Sequence, residues 1–173
     1  DAVFLGINRH ATIEAMGTLS GMGVGGAVCY SSGFAETADD ELQANLLQAA
    51  GDMSFFGPNC SGFINTFDRV ALWPDEHGCT RHERGVAIVS QSGNVGVNLT
   101  FPRRGLRLGT MISVGDQASL GSEDAVAALL TDERITDQLR LPMLASRRSM
   151  NLANCASIAV YEAWRQNGFA GAG

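Results

Sequence analysis

The 173-residue sequence contains no lysine. This absence excludes two large enzyme classes, because Walker-type phosphate loops and Schiff-base enzymes both need a lysine side chain. Long apolar runs are also missing, so no stretch approaches the roughly 20 residues needed to cross a bilayer. No signal peptide is visible, and the chain opens on Asp1 directly before a strand-like run, so we expect the sequence to begin inside a domain.

Cysteine is scarce and scattered. The spacing forms neither a disulfide framework nor a paired metal motif, so we expect a reducing cytoplasm as the compartment. The four cysteines are Cys29, Cys60, Cys79 and Cys155. His77, Cys79 and His82 lie close in sequence, but no second pair completes a known zinc spacing. We therefore predict no metal site and interpret the histidines as exposed loop residues.

Charge is unevenly distributed along the chain. The net charge of −6 argues against a general nucleic-acid binder. Residues 1–136 carry 8 arginines against 16 acidic residues, whereas residues 137–173 carry 4 against 2. The C-terminal segment is therefore net basic, whereas the rest of the chain is net acidic.

Short apolar runs alternate with helical patterns along the first 130 residues. The apolar runs predict strands at 2–7, 27–30, 53–56, 86–89 and 108–114. Helical spacing predicts helices at about 10–22, 39–50 and 122–130, the last with Ser122 as its N-cap. A further helix is predicted to follow the turn at 90–93 and to run through Leu99 to about Arg104. Residues 61–84 show no periodicity and are predicted to form a connection. This order predicts right-handed crossovers and a doubly wound α/β sheet.

The strand beginning at Val86 stops abruptly at Ser90-Gln91-Ser92-Gly93. This pattern predicts a strand, then a tight turn, then the first turn of a helix. The backbone N–H groups of a first helical turn have no partner within the helix and lie at the positive end of the helix dipole, so they suit phosphate or another anion. The alternative is that Ser90 or Ser92 only caps the helix. The local pattern leaves both interpretations open.

Four motifs occur in the order and spacing of one family. They are Gly-Ala-Val-Cys-Tyr-Ser-Ser-Gly-Phe-Ala-Glu at 26–36, Gly-Pro-Asn-Cys-Ser-Gly at 57–62, Ser-Gln-Ser-Gly at 90–93 and Ser-Val-Gly-Asp-Gln at 113–117. Over about residues 1–134 the chain resembles NDP-forming acyl-CoA synthetases, the group of ADP-forming acetate–CoA ligases and succinyl-CoA synthetase α-subunits. The resemblance implies that residues 1–80 are the C-terminal part of a Rossmann-like CoA-binding domain. Residues 85–134 would be the N-terminal part of a flavodoxin-like succinyl-CoA-ligase domain.

The same resemblance implies binding residues. Coenzyme A would lie along Ser31, Ser32 and Gly33, with Asn59 facing its thiol end. The phosphate of a phosphohistidine intermediate would be held by Ser90, Ser92 and Gly93.

The activity implied is that of an acid–CoA ligase, which interconverts acyl-CoA, ADP and phosphate with acid, CoA and ATP. None of His10, His77 or His82 stands in the place of the family's nucleophilic histidine, so we assign no catalytic residue. An ATP-grasp domain or subunit would be the partner. We expect this chain to be an incomplete fragment of the ligase, inactive alone.

The tail, residues 136–173, resembles a different family. It carries Leu-Pro-Met at 141–143, a Ser-Met-Asn-Leu-Ala-Asn loop at 149–154 and a closing helical pattern. These features resemble the C-terminal end of SPOUT-type tRNA 2′-O-methyltransferases that act on the wobble cytidine or uridine. The resemblance implies a strand–loop–helix tail, tRNA as a partner, and S-adenosylmethionine held by Leu141, Met143, Ser149 and Asn154.

Other interpretations of the tail stay open. Ile158, Tyr161 and Trp164 stand three apart, as in an amphipathic helix that docks on a sheet. A natural fusion, a truncation or a chimeric, non-catalytic α/β domain would also explain the change near residues 131–137. Incomplete sheets leave open edges, from which we predict self-association.

Overall fold

The computed structural model describes residues 1–35, 40–101 and 107–136, together with 158, 161, 162, 164–166, 168 and 169. Contacts divide the chain into two compact units, Asp1–Asp132 and Glu133–Gly173. The described elements are β1 (Ala2–Leu5), α1 (Arg9–Gly21), β2 (Gly26–Cys29), α2 (Asp40–Ala50), β3 (Phe55–Phe56), β4 (Gly62–Asn65), β5 (Val70–Leu72), β6 (Val86–Ser90), α3 (Gly93–Leu99), β7 (Leu108–Ser113) and α4 (Ser122–Leu130). None of these helices is both long and apolar enough to cross a membrane.

The first sheet is parallel, with strand order β1-β2-β3. Helices α1 and α2 pack against each other and cover a core that includes Met16, Phe34, Leu46 and Phe55. The predicted alternation of strand and helix is confirmed here. It was visible in the sequence because β1 and β2 read as continuous apolar runs.

The second sheet is mixed, with strand order β5-β4-β7-β6. Strands β6 and β7 run parallel, whereas β4 is antiparallel to both β5 and β7. The prediction that residues 61–84 only form a connection was wrong for β4 and β5. These strands are three or four residues long, and β4 carries Gly62 and Asn65, which are poor strand formers. Strand β7, the second partner of β4, lies more than 40 residues further along the chain than β4, so the local pattern does not reveal this pairing.

The end of α3 and the N-cap of α4 differ from the predicted ones. Helix α3 begins at Gly93, directly after its N-cap Ser92, as predicted, but it ends at Leu99 with Thr100 as its C-cap rather than near Arg104. Helix α4 begins at Ser122 as predicted, but its N-cap is Gly121, whose N–H donates to Asp124 Oδ2 at 2.8 Å. The Ser122 hydroxyl instead donates to Gln117 Oε1 at 2.9 Å.

Within the unit Glu133–Gly173, the described residues include helical positions at 158, 161–162 and 164–166. The rings of Tyr161, Trp164 and Phe169 form a cluster with centroid separations between 5.1 and 6.4 Å. Hydrogen bonds from Arg165 lower the pKa of the Glu162 carboxyl to about 2. Leu141, Met143, Ser149 and Asn154 lie outside the described residues.

Candidate functional site

The turns after β2 and β3 meet at one edge of the first sheet. Because the two strands are parallel neighbours, their carboxyl ends lie side by side, where open α/β sheets place ligands. The backbone N–H of Asn59 donates to the carbonyl oxygen of Ser31 at 2.9 Å. The structure therefore brings together two predicted CoA-binding residues that are separated by 28 positions in the sequence.

The turn at 31–33 is anchored to the first turn of α1. The Ser31 hydroxyl lies 3.1 Å from Thr12 Oγ1, and Arg9 Nη1 donates to the carbonyl oxygen of Gly33 at 2.7 Å. Ser32 is exposed between these anchored residues. The sequence motifs did not point to Arg9 or Thr12, because these residues reach the turn only through tertiary packing.

Asn59 stands on the exposed surface of the next turn. Its backbone adopts a left-handed conformation, with φ of 56°, which asparagine tolerates better than most residues. Its Nδ2 group lies 3.5 Å from Asp116 Oδ1. The carboxamide therefore reaches toward the turn at 115–117.

The turn at 57–61 is bonded to the end of β7. The backbone N–H of Asp116 donates to the carbonyl oxygen of Pro58 at 2.9 Å, and that of Gly57 donates to the carbonyl oxygen of Val114 at 3.2 Å. Both Gly57 and Pro58 are buried. These bonds connect the two sheets.

The turn at 90–93 completes the arrangement. Gln91 Nε2 donates to the carbonyl oxygen of Gly115 at 3.2 Å. A β-carbon placed on Gly93 would lie 2.5 Å from Ser61 Oγ, so the start of α3 packs directly on Ser61. We call the turns at 31–33, 57–61, 90–93 and 115–117 the turn cluster.

The serine hydroxyls of the turn at 90–93 have different roles. Ser92 Oγ accepts a hydrogen bond from the N–H of Val95 at 3.5 Å, whereas Ser90 Oγ donates to the carbonyl oxygen of Ser92 at 3.0 Å. The capping alternative is therefore confirmed for Ser92 and not for Ser90. Phosphate binding by Ser90, Ser92 and Gly93 stays a prediction.

Cys60 lies inside the turn cluster but is unsuited to nucleophilic chemistry. Burial raises the pKa of its thiol to about 12, so the thiol stays protonated at neutral pH. Within the described part of the chain, no group of three or more His, Cys, Asp or Glu residues could hold a metal ion. The cluster therefore offers hydroxyls, carboxamides, backbone groups and the carboxylate of Asp116, which suit the binding of a polar ligand.

Comparison with known proteins shows what this chain is similar to. Residues 83–139 match the model of the succinyl-CoA ligase like flavodoxin domain. The chain is similar to NDP-forming acyl-CoA synthetases. A trans-feruloyl-CoA synthase from an unknown prokaryotic organism is 34% identical over 142 residues, which cover 77% of this chain and 20% of that protein. The apo dinucleotide forming acetyl-coenzyme A synthetase 1 of Ca. Korarchaeum cryptofilum superposes with a TM-score of 0.67 and 26% identity, covering 78% of this chain and 30% of that one.

A second similarity involves a different protein class. A tRNA (cytidine(34)-2′-O)-methyltransferase of Saccharophagus degradans is 52% identical over 62 residues, which are 35% of this chain and 40% of that protein. Both resemblances predicted from the sequence are thus confirmed. The chain spans about a fifth of the first relative and two fifths of the second.

Proposed function

We propose that residues 1–134 supply the CoA- and phosphate-binding part of an NDP-forming acid–CoA ligase. The observation that carries this proposal is the turn cluster, in which turns following four strands are held together by hydrogen bonds at the strands' carboxyl ends. Similarity to NDP-forming acyl-CoA synthetases supports the same assignment. In this proposal residues 1–80 derive from a Rossmann-like CoA-binding domain and residues 85–134 from a flavodoxin-like domain.

Coenzyme A would bind along the turn at 31–33. Ser32 is exposed there, and Asn59 is exposed on the turn bonded to it, so both side chains are accessible to the same extended ligand. The Asn59 carboxamide would face the thiol end, where its N–H₂ and carbonyl can orient the ligand without reacting with it.

Phosphate would bind at the start of α3. Ser92 Oγ uses one lone pair to accept from Val95 N–H, which leaves its O–H group to donate to an anion. The Ser90 O–H already donates within the turn and would have to rotate first. We therefore expect Ser92 to contribute more to phosphate affinity than Ser90.

The complete reaction would convert acyl-CoA, ADP and phosphate to acid, CoA and ATP through a phosphohistidine. Neither His10 nor His77 nor His82 belongs to the turn cluster, so this chain's proposed role is binding, and the histidine would come from another part of the ligase. An ATP-grasp domain or subunit is the proposed partner that exchanges the phosphoryl group with the nucleotide.

Titration calorimetry of the full chain with CoA, and separately with inorganic phosphate, tests the proposal. Ser92→Asp is the informative variant, because aspartate is also a good N-cap but places a negative charge beside the anion site. We expect it to keep the melting temperature and CoA binding while losing phosphate binding. A folded chain that binds neither CoA nor phosphate would overturn the proposal.

The second candidate function is a piece of an S-adenosylmethionine-dependent tRNA 2′-O-methyltransferase. The identity of 52% over 62 residues with a tRNA methyltransferase favours it. S-adenosylmethionine should then bind through Leu141, Met143, Ser149 and Asn154, and Ser149→Ala with Asn154→Ala should abolish binding. A chain that binds this cofactor but neither CoA nor phosphate would favour the second candidate over the first. A melting temperature unchanged by a large excess of each ligand would indicate a non-catalytic α/β domain.

A further inference from the structure

A cavity of about 320 Å³ opens beside the hairpin formed by β4 and β5. Gly62, at one end of β4, pairs with Ser113, whereas Asn65, at the other end, pairs with Thr110. The cavity lies at the Asn65 end, and the turn cluster lies at the Ser113 end. The cavity is therefore separate from the turn cluster and lies at the other end of strand β4.

The rim of the cavity is cationic. Arg69, Arg81 and His77 line it and are exposed, and no aspartate or glutamate is among the described residues that line it. In the described part of the chain neither arginine forms an ion pair. The neighbouring carboxylate of Asp68 accepts a hydrogen bond from Asn65 Nδ2 at 2.8 Å instead. Two guanidinium groups thus remain available to a ligand in a protein whose net charge is −6.

The other polar side chains that line the cavity are already engaged. The Thr66 hydroxyl lies within hydrogen-bonding distance of the carbonyl oxygens of Leu108 and Gly109, at 3.1 and 3.0 Å. Asn65 Oδ1 accepts from two backbone N–H groups of the hairpin. The arginines and His77 are therefore the groups that would recognise a ligand.

The remaining wall is apolar. Ile64, which is 2% exposed, lines the cavity together with Val70 and Ala71. A cavity of about 300 Å³ or more is in the range that accommodates a small organic molecule. An inorganic anion alone would leave this wall in contact with water.

We propose that this cavity binds a small organic carboxylate, with the carboxylate held by Arg69 and Arg81 and its apolar portion against Ile64 and Val70. Planar guanidinium groups match the geometry of a carboxylate, and hydrogen bonds between charged partners are the stronger ones. The proposal is independent of the function proposed for the turn cluster.

An NMR titration of the full chain with benzoate, and with the neutral isostere benzamide, tests this site. Benzoate should shift the amide signals of residues 64–71 and 77–81, with an affinity about tenfold or more above that of benzamide, because benzamide lacks the charge. The double variant Arg69→Gln with Arg81→Gln should lose this advantage. Arg84→Gln is the matched control, since Arg84 is exposed in the same loop but does not line the cavity.

The outcomes separate clearly. Preference for benzoate that disappears in the double variant and persists in Arg84→Gln supports the proposal. Equal affinity for benzoate and benzamide, signal shifts confined to other residues, or an unchanged affinity in the double variant would overturn it. The melting temperatures of the variants check that each protein is folded, and the exposed positions of Arg69 and Arg81 predict little change.

Discussion

The backbone N–H of Asp116 donates a 2.9 Å hydrogen bond to the carbonyl oxygen of Pro58. This bond joins the turn after β7, in the second sheet, to the turn after β3, in the first. The proposed CoA and phosphate sites therefore share one supporting structure. We expect a disturbance at this junction to affect both sites, whereas a disturbance within one turn should affect one ligand.

Gly115→Ala should destabilise the junction strongly. Gly115 has a φ of 61°, and a β-carbon there would overlap the Pro58 carbonyl oxygen and lie 2.7 Å from Cys60 Cβ. We expect a loss of about 2–4 kcal/mol in the free energy of unfolding, measured by urea denaturation, because strain and a steric clash add. Gly23→Ala is the matched control, since Gly23 has a φ of 70° and no atom within 4 Å of the added β-carbon. It should cost only about 1 kcal/mol. If the two variants lose the same free energy of unfolding, close packing around Gly115 does not add to the cost of the backbone strain.

Thr12→Val should loosen the turn at 31–33. The Thr12 hydroxyl is buried, lies 3.0 Å from the carbonyl oxygen of Asn8 and 3.1 Å from Ser31 Oγ, and valine has the same shape without it. We expect a loss of about 1–2 kcal/mol in stability and weaker CoA binding by calorimetry. Thr18→Val in the same helix removes an exposed hydroxyl and should change neither quantity. If Thr12→Val binds CoA as tightly as the unaltered chain does, the contact between Thr12 and Ser31 does not support CoA binding.

Asn59→Gly should weaken CoA binding without unfolding the protein. Glycine accepts the left-handed backbone at φ of 56°, so the variant removes the carboxamide but keeps the turn. We expect CoA affinity to fall by about tenfold, as for loss of one good hydrogen bond, with a nearly unchanged melting temperature. Arg69→Gly is the control, because Arg69 has a similar φ of 57° but lies in the β4–β5 hairpin, at the end of β4 away from the turn cluster. If both variants bind CoA as the unaltered chain does, Asn59 does not contact the ligand.

Cys60 should make stability fall at alkaline pH. Burial raises the pKa of its thiol from 9.0 to about 12, so the folded state favours the neutral thiol. The contribution of this thiol to the free energy of unfolding is fully present below pH 9, where the thiol is neutral in the unfolded state as well. It is lost as the pH rises toward 12, by up to about 1.4 kcal/mol per pH unit. Urea denaturation between pH 8 and pH 10.5 should show a steeper decline for the unaltered chain than for Cys60→Ala. Burial raises the pKa of Cys79 as well, and that residue is retained in both proteins. Parallel declines would contradict the prediction.

The sequence by itself determined the elements whose signal is local. Strands β1, β2, β6 and β7 are apolar runs of neighbouring residues, and α1 and α2 carry apolar side chains at helical spacing, so adjacent residues suffice to predict them. The four motifs likewise predicted the similarity to NDP-forming acyl-CoA synthetases, because their order and spacing are properties of the chain. Ser92 was correctly identified as a capping candidate, since capping depends on the next three residues.

Only the tertiary structure decided which distant segments meet. Strand β4 became visible through its pairing with β7, and Thr12 and Arg9 became part of the site through contacts with Ser31 and Gly33. The cationic cavity arises in the same way, because Arg69 and Arg81 belong to segments with no shared local pattern. These contacts depend on the burial of apolar surface and on backbone hydrogen bonds between segments far apart in the chain, and such pairing leaves no periodic signal in either segment alone.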